Sequence, residues 1–359
     1  MEGKRVAKNA IWIIGCKIVQ SILALIITML TARYLGPSNF GLLNYAASVV
    51  AFATPIMQLG LTSTLVQELI NNKEEEGKIL GSALVLNLAC SALCIIGIFS
   101  FTLIANANEK DTILICLIYS IQLFAQATEN ILYWFQSKLL SKYQSVVSIV
   151  AYIIVSIYKV VLLVNHMSVH WFALSNSLDY FLIAISLYVI YKKLGGQTYN
   201  FSSITAKRMI STSKYYIIAN LMVVVFAQTD KIMIKMMIDD TANGYYSSGV
   251  ACAALTSFVF TAIIDSMRPS IFDAKNKSEL SFEVNMKRLY AIIFWLTLLQ
   301  SIVFTLLAKP IIYVLYGSKL LSCFKCFEVN NMVHYLLLLW VSSKYMVACS
   351  RKTKILMEN

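Results

Sequence analysis

The stretch AQTDKIMIKMM at 227–237 places charged side chains in a segment that is otherwise apolar enough to cross a membrane. Asp230, Lys231 and Lys235 all lie within residues 215–238. A charged side chain at membrane depth costs about 2.5–3.5 kcal/mol on insertion scales, so it usually faces a protein interior or a watery cavity. Lys231 and Lys235 share one helix face, where like charges repel each other. We therefore expect these lysines to bind an anion or to meet a partner in the other half of the chain.

Charged side chains also interrupt the other apolar segments, and at about 1.5 Å per helical residue they form two layers. The outer layer contains Lys159, Asp179, Asp230 and Lys231, with Lys235 nearer the surface. The inner layer contains Lys17, Glu129, Asp265, Arg268 and Lys344, with Gln20 one helical turn from Lys17. So many charges at membrane depth indicate a solvated cavity in a helix bundle.

Purely structural roles are also open for single members of these layers. Lys159 and Asp179 could be a buried pair that holds two neighbouring helices together. Asp265 and Arg268 could form an ion pair within one helix end. Lys235 could extend its ammonium group outward to the membrane surface.

The composition requires membrane-spanning helices to position these charges. Hydrophobic residues make up 58% of the 359 residues, charged residues 13%, and the mean hydropathy is +0.70. A soluble domain of this length cannot bury so much apolar surface. A spanning helix needs about 20 apolar residues, and ten stretches qualify: 10–32, 41–66, 79–105, 112–136, 146–165, 171–191, 215–238, 245–271, 289–308 and 327–350. We predict an all-α polytopic membrane protein with about ten transmembrane helices.

The basic residues define the predicted sidedness of these helices. Most lysines and arginines between the spans fall on the side of the N-terminus, which is the pattern of cytoplasmic loops. Both termini are therefore predicted to be cytoplasmic. The net charge of +12 is explained by this topology and by contact with anionic membrane lipids, so we predict no nucleic-acid partner.

The spans are predicted to form two lobes of similar construction. Residues 1–195 would be an N-lobe with six spans, 196–214 a cytoplasmic linker, and 215–359 a C-lobe with four spans. A weak repeat supports this division: LGPSNFGLLNYAAS (35–48) aligns with IDDTANGYYSSGVA (238–251), and Gly41 then meets Gly244. Each copy follows an outward span, as in transporters built from internal repeats.

No group of residues in the sequence indicates catalysis. The three histidines do not pair with a plausible nucleophile, and no phosphate-binding P-loop motif is present. We predict that the chain is not an enzyme and uses no cofactor or metal. The Cys-x-x-Cys at Cys323 and Cys326 is interpreted as incidental thiols, with a local disulfide as the alternative.

Several stretches resemble the polysaccharide-repeat (O-antigen, Wzx-type) flippases of the multidrug/oligosaccharidyl-lipid/polysaccharide exporter superfamily. Two of these stretches are the more specific. They are ITMLTARYLGPSNFGLLNYAASVVAF (27–52) and the TDKIMIKMM run that begins at Thr229. The shorter ones are QLGLTSTLVQELINN (58–72), YWFQSKLLSKYQS (133–145), MRPSIF (267–272) and VLYGSKLLSC (314–323). Order and spacing agree from about residue 8 to the C-terminus.

The resemblance implies a function and a location. It implies two six-helix lobes that alternate between inward and outward access in the bacterial inner membrane. The cargo would be an undecaprenyl-pyrophosphate-linked oligosaccharide, moved from the inner to the outer leaflet. The polysaccharide polymerase and the chain-length machinery would be possible partners.

Roles for the membrane charges follow from this cargo. Lysines bind phosphate groups as point charges, and buried carboxylates can carry protons. The residues expected to contact substrate are Lys17, Gln20, Lys159, Lys231, Lys235 and Lys344. The residues expected to couple transport to an ion gradient are Glu129, Asp179, Asp230 and Asp265.

This sequence departs from the family pattern in two places. Gln67 stands where many relatives have an arginine before Glu68. Relatives usually have twelve spans, so a second lobe with four spans would lack its last pair of helices.

Other functions stay open at this point. Within the superfamily the alternatives are a peptidoglycan-precursor flippase and a multidrug exporter, although a drug exporter's cavity should be more acidic. Outside transport, the alternatives are a membrane-bound polysaccharide polymerase and a non-transporting scaffold of the polysaccharide machinery.

Overall fold

The computed structural model describes residues 2–138, 140–253 and 278–317, together with 260, 263 and 267. No strand occurs in these residues, which confirms the all-α prediction. The described helices are α1 (Glu2–Met57), α2 (Leu65–Asn71), α3 (Glu76–Ala105), α4 (Lys110–Ser120), α5 (Gln122–Thr128), α6 (Ile131–Ser137), α7 (Ser141–Val164), α8 (Val169–Lys193), α9 (Ser203–Met237), α10 (Asp240–Ala253), α11 (Glu279–Leu306) and α12 (Ala308–Tyr316).

Seven described helical segments are long and apolar enough to cross a membrane, so the chain is a multi-pass membrane protein. They are Ile18–Met57, Lys73–Ala105, Lys110–Ser137, Lys142–Val164, Val169–Lys193, Ser203–Met237 and Leu280–Leu306. The first of them holds two predicted spans, which meet at Gly36 in the left-handed backbone region (φ 72°). This conformation suits glycine, and Pro37 follows it, so the predicted turn is present. The predicted span 245–271 is described only in part, and 327–350 lies outside the described residues.

The predicted fourth span is a broken helix that comprises α4, α5 and α6. Its breaks lie near Ile121 and at Glu129–Asn130, where backbone amides form short i→i−3 bonds instead of regular helical ones. In lipid every backbone carbonyl needs a partner, and hydroxyl groups supply some of them here. Ser91 Oγ donates to the Leu123 carbonyl at 3.1 Å, and Thr128 Oγ1 donates to its own helix at 2.6 Å. The breaks thus keep their backbone groups paired within the protein.

Helix α9 starts at Ser203, twelve residues before the span predicted from Tyr215. The Ser202 hydroxyl caps it by accepting a bond from the Thr205 amide. The connection before it is therefore shorter than the predicted 192–214 loop, and it packs onto the start of α3. Gln197 Oε1 accepts a bond from the Gly77 amide at 2.9 Å, and Ser202 bonds with Ser82. The sequence predicted a cytoplasmic linker at 196–214; its second part belongs to α9, and tertiary hydrogen bonds hold its first part on α3.

The structure brings the turns predicted to lie outside to one end of the described helices. Tyr34 donates to the carbonyl of Met167 at 2.9 Å, and Tyr45 donates to Asn106 at 2.8 Å. The opposite end holds the basic turns, where Arg208 of α9 pairs with Glu68 at 3.4 Å. The turns between helices therefore alternate between two ends, as the predicted topology requires.

The contacts divide the chain into Met1–Gly244 and Tyr245–Asn359. The first unit contains α9 because that helix packs along the second half of α1 and along α3. This boundary falls later than the predicted linker at 196–214, and the division into two lobes of six and four spans stays a prediction. In the second unit, Met286, Leu289 and Ile293 of α11 pack with Phe260.

Within the first unit, α1 and α10 cross at glycines in very close contact. A Cβ atom added to Gly41 would lie against the Asp240 carbonyl and 2.6 Å from the Gly244 amide nitrogen. A Cβ atom added to Gly244 would lie against the Pro37 carbonyl. Small residues allow helix backbones to approach this closely in a membrane.

We predict that Gly41→Ala destabilises the protein by about 1–3 kcal/mol, because the added methyl group overpacks this crossing. The midpoint of heat-induced loss of monodisperse protein in detergent should fall. Gly97→Ala is the matched control, because no atom lies within 4 Å of its added Cβ and alanine favours helix. Equal midpoints for the two variants would contradict the close packing.

Candidate functional site: polar groups at membrane depth

A group of six polar side chains lies within membrane-spanning helices of the first unit. This α5–α8 polar cluster consists of Gln126, Glu129, Lys159, Asn176, Asp179 and Tyr180. Glu129 sits at the break between α5 and α6, while Lys159 comes from α7 and Asp179 from α8. Because α7 packs against α8 and α8 against α5, helices distant in sequence bring these groups together.

Hydrogen bonds and charges connect the members of the α5–α8 polar cluster. Lys159 Nζ donates to Asn176 Oδ1 at 3.2 Å, and the side chains of Gln126 and Tyr180 are hydrogen-bonded. The charge of Asp179 attracts that of Lys159 and repels that of Glu129. Asp179 Oδ1 is buried and accepts no hydrogen bond from any described residue. The cluster therefore has an unfilled acceptor beside its only lysine.

The charge balance of the α5–α8 polar cluster favours binding of a cation. With both carboxyl groups ionised, two negative charges face the single positive charge of Lys159. A net charge is costly at membrane depth, so uptake of one proton or one monovalent cation would neutralise the group. No set of three or more metal-binding side chains occurs in the described part of the chain.

The polar groups of α9 face the second half of α1. Lys231 Nζ donates to Gln228 Oε1 at 3.0 Å, and the same oxygen accepts a bond from Ser48 Oγ at 3.0 Å. Asp230 Oδ1 accepts a bond from the Lys231 backbone amide at 2.8 Å. Lys231 is half-buried, and its ammonium group is hydrogen-bonded to another side chain of the protein.

Lys235 lies in a third group, at the end of the helices that is predicted to face outside. Its side chain is only 4% exposed, and Nζ lies 2.5 Å from Glu109 Oε2 and 3.3 Å from Asp240 Oδ1. Nζ also lies 6.0 Å from the centre of the Tyr45 ring. Lys235 therefore has partners from other segments of the chain. Because two carboxylates already surround its ammonium group, Lys235 does not form an open binding site for an anion.

The two carboxyl groups beside Lys235 differ in pKa. Burial alone would raise the pKa of Glu109, but hydrogen bonds from Lys235 and Thr112 outweigh it and hold the pKa below the usual range. Burial raises the pKa of Asp240, and Lys235 opposes this only in part. Asp240 Oδ1 accepts no well-aligned hydrogen bond from a described residue, despite its distance to Lys235. Glu109 is thus the main partner of Lys235.

The structure tests the grouping of the predicted site residues only in part. It joins Glu129 to Lys159 and Asp179, although the sequence placed them in different layers. Gln20 is half-buried in α1. The side chain of Lys17, and Asp265, Arg268 and Lys344, lie outside the described residues. The roles proposed for all of these residues in binding and coupling stay predictions.

Sequence reasoning missed Glu109, Asp240, Asn176 and Tyr180. Asn176 and Asp179 lie three residues apart on one helix face, so that spacing was a usable signal. Asp240 lies within the repeated segment 238–251, where only the glycines and small residues were compared. Glu109 carried no signal, because a carboxylate in a short polar turn is usually only solvated.

Comparisons with known proteins give the family of this chain and a solved structure of similar fold. Residues 6–275 match the family model described as "Polysaccharide biosynthesis protein". A solved structure titled "Inward-facing conformation of a multidrug resistance MATE family transporter of the MOP superfamily" is similar at 11% identity and a TM-score of 0.55. The match covers 90% of this chain and 84% of that one, and at this identity it shows the fold alone. No curated protein sequence matches this chain.

We predict that Lys159→Met lowers the thermal midpoint strongly, because it removes the positive charge that attracts the buried Asp179, and an uncompensated buried charge costs about 3–5 kcal/mol. The double variant Lys159→Met with Asp179→Leu should recover most of that loss, since it removes the lysine and the carboxylate that the lysine attracts together, and leaves only Glu129 charged. The two single variants and the double variant, heated in the same detergent, give the coupling energy. Additive losses would mean that Lys159 and Asp179 are not paired.

Proposed function

We propose that this chain, which belongs to the family of polysaccharide biosynthesis proteins, is a flippase for lipid-linked oligosaccharides. Its cargo would be an undecaprenyl-pyrophosphate-linked repeat unit of O-antigen or another surface polysaccharide. It would carry the repeat unit from the inner to the outer leaflet of a bacterial inner membrane by alternating access.

The observation that carries this proposal is the set of polar groups on spanning helices of a chain in this family. A pyrophosphate and its sugars cannot cross hydrocarbon, because each polar group would lose its hydrogen bonds to water. The lipid tail can remain in the bilayer while the head group passes through a polar path. Lys231, hydrogen-bonded to Gln228 inside the protein, offers a positive charge on such a path. Its ammonium group would bind the pyrophosphate as a point charge.

The α5–α8 polar cluster supports the proposal of ion coupling. Glu129 and Asp179 lie among four helices, and Lys159 neutralises only one of them. A proton or sodium ion bound there would change the net charge of the cluster, and with it the free energy of helix arrangements that expose or bury it. Such a difference between states is what a gradient needs in order to drive a transport cycle.

We predict that Lys231→Ala abolishes export of the repeat unit while the protein stays in the membrane. The lost ammonium group would leave the pyrophosphate without a charge partner. The measurement is surface polysaccharide in a deletion strain that expresses the variant, with membrane levels determined by immunoblot.

Lys214→Ala is the matched control for this prediction, since Lys214 lies on the same helix but is exposed. It should export like the parent protein. Normal surface polysaccharide with Lys231→Ala would overturn the role of Lys231. Outward-facing repeat units in the deletion strain itself would overturn the flippase proposal, because a strain that lacks only a polymerase accumulates them on that side.

We predict that Glu129→Gln uncouples transport from the ion gradient. The amide keeps the shape of the side chain but cannot bind a proton. Membrane vesicles that contain lipid-linked oligosaccharide, with a proton or sodium gradient imposed in turn, would report flipping by lectin accessibility. The gradient should accelerate the parent about tenfold or more, the size of a typical coupling free energy, and should not accelerate Glu129→Gln.

Glu74→Gln is the matched control, because Glu74 is exposed in the turn that precedes α3. A gradient-dependent rate in Glu129→Gln equal to that of the parent would remove Glu129 from the coupling mechanism.

The alternatives give different results in the same strains. A multidrug exporter would leave the polysaccharide intact but make the deletion strain sensitive to cationic drugs. A peptidoglycan-precursor flippase would be needed for growth itself, and a polymerase would form glycosidic bonds when purified.

A further inference from the structure

Three separate segments meet around Lys235 at the end of the helices predicted to face outside. Lys235 lies in the last turn of α9, Glu109 lies in the turn between α3 and α4, and Asp240 is the first residue of α10. Glu109 is itself held in place, because Thr112 Oγ1 donates to it at 2.7 Å and Asn106 Nδ2 at 3.4 Å. Asn106 in turn accepts a bond from the buried Tyr45 of α1. One buried ammonium group therefore ties α9 and α10 to α1, α3 and α4.

Close packing between α1 and α10 provides a second set of contacts at the same end of the helices. The Asn243 side chain, which is fully buried, donates to the Gly41 carbonyl at 2.8 Å. Gly41 and Gly244 bring the backbones of α1 and α10 so close that a methyl group would not fit between them. A sugar or a phosphate group cannot pass between α1 and the α9–α10 turn in this arrangement.

We propose that Lys235, Glu109 and Asp240 form an ionic latch, which closes the outer end and must break whenever the protein opens outward. Lys235 then acts on the conformational equilibrium and does not bind the cargo. The latch rests on the proposed alternating access, but it does not depend on what the protein carries.

The charges of the latch explain why it can open and close. Glu109 is about half exposed, so water solvates it readily once the pair separates. Lys235 is buried in this arrangement, where its two carboxylates lie next to its ammonium group. A pair that is partly exposed contributes modestly to stability, so the latch biases the equilibrium without locking the protein shut.

Thiol labelling from outside tests the latch in the full-length protein without any cargo. The reporter is Ser48→Cys, a nearly isosteric change at a site that is 1% exposed and faces Gln228 of α9. A membrane-impermeant maleimide is added to intact cells, and labelling of the parent protein without Ser48→Cys is subtracted. Lys110→Cys, at an exposed position of the same end, gives the rate for an open site.

In the reporter protein we expect slow labelling, and Glu109→Gln should accelerate it about fivefold or more, the effect of a modest free-energy change. Glu109→Lys should also accelerate labelling, because it places two positive charges together. The reversed pair, Glu109→Lys with Lys235→Glu, should label more slowly than Glu109→Lys alone. Asp111→Asn, which removes an exposed charge two residues from Glu109, should leave the rate unchanged.

Three results would overturn the latch. They are an unchanged rate with Glu109→Gln, equal rates for the reversed pair and Glu109→Lys, and no labelling of Lys110→Cys from outside. The membrane level and heat stability of each variant show whether a faster rate reflects unfolding. Normal surface polysaccharide in the deletion strain, together with the expected labelling pattern, would count against the proposed cargo and not against the latch.

Discussion

The cost of leaving a polar group unpaired in hydrocarbon is the constraint on which the rest of this structure depends. Inside the membrane no water compensates a bare carbonyl, amide or charge. The broken fourth span shows the consequence, because the hydroxyl groups of Ser120 and Thr128 bond the carbonyls of Leu117 and Ala125, which precede its breaks. Those breaks place Glu129 inside the bundle, opposite α7 and α8. The backbone irregularity and the charged side chain therefore occur together for one physical reason.

Because of the same constraint, each described lysine at membrane depth has polar partners in the protein, and these partners differ from one lysine to the next. Lys159 bonds with an asparagine and is attracted by an aspartate, Lys231 bonds with a glutamine, and Lys235 lies between two carboxylates. A lysine with weak neutral partners can exchange them for an anionic ligand at little cost. A buried lysine between carboxylates must lose an ion pair first. The proposed roles rest on this difference: the Lys231 ammonium bonds with a neutral glutamine, although the charge of Asp230 also attracts it, whereas Lys235 is held by an ion pair between separate segments.

The sequence was sufficient to recognise the spanning helices of the described residues, because long apolar stretches in lipid have almost no alternative to helix. It also predicted the turn at Gly36, since glycine followed by proline is a strong local signal. It missed the early start of α9 and the breaks of the fourth span. Both depend on hydrogen bonds to residues far away in sequence, such as Gln197 to Gly77 and Ser91 to Leu123. The same holds for the candidate site. The charged side chains at membrane depth could be recognised from the sequence, but the residues that contact them could not, because those contacts join distant segments.

The repeat at 35–48 and 238–251 acquires a physical meaning from the contact between Gly41 and Gly244. These two glycines occupy equivalent positions in the aligned segments, and they touch each other. In a protein built from parallel repeats, an element can contact its own equivalent only near the axis that relates the two copies. A glycine at that point in both copies allows the closest approach, and a larger side chain in either copy would hold the backbones apart. The ion pair of Lys235 with Glu109 lies beside this contact, where a small separation of the backbones is enough to break it. In the proposed latch, the close packing of these glycines would set the distance between the backbones, and the charges next to it would set how readily this end opens.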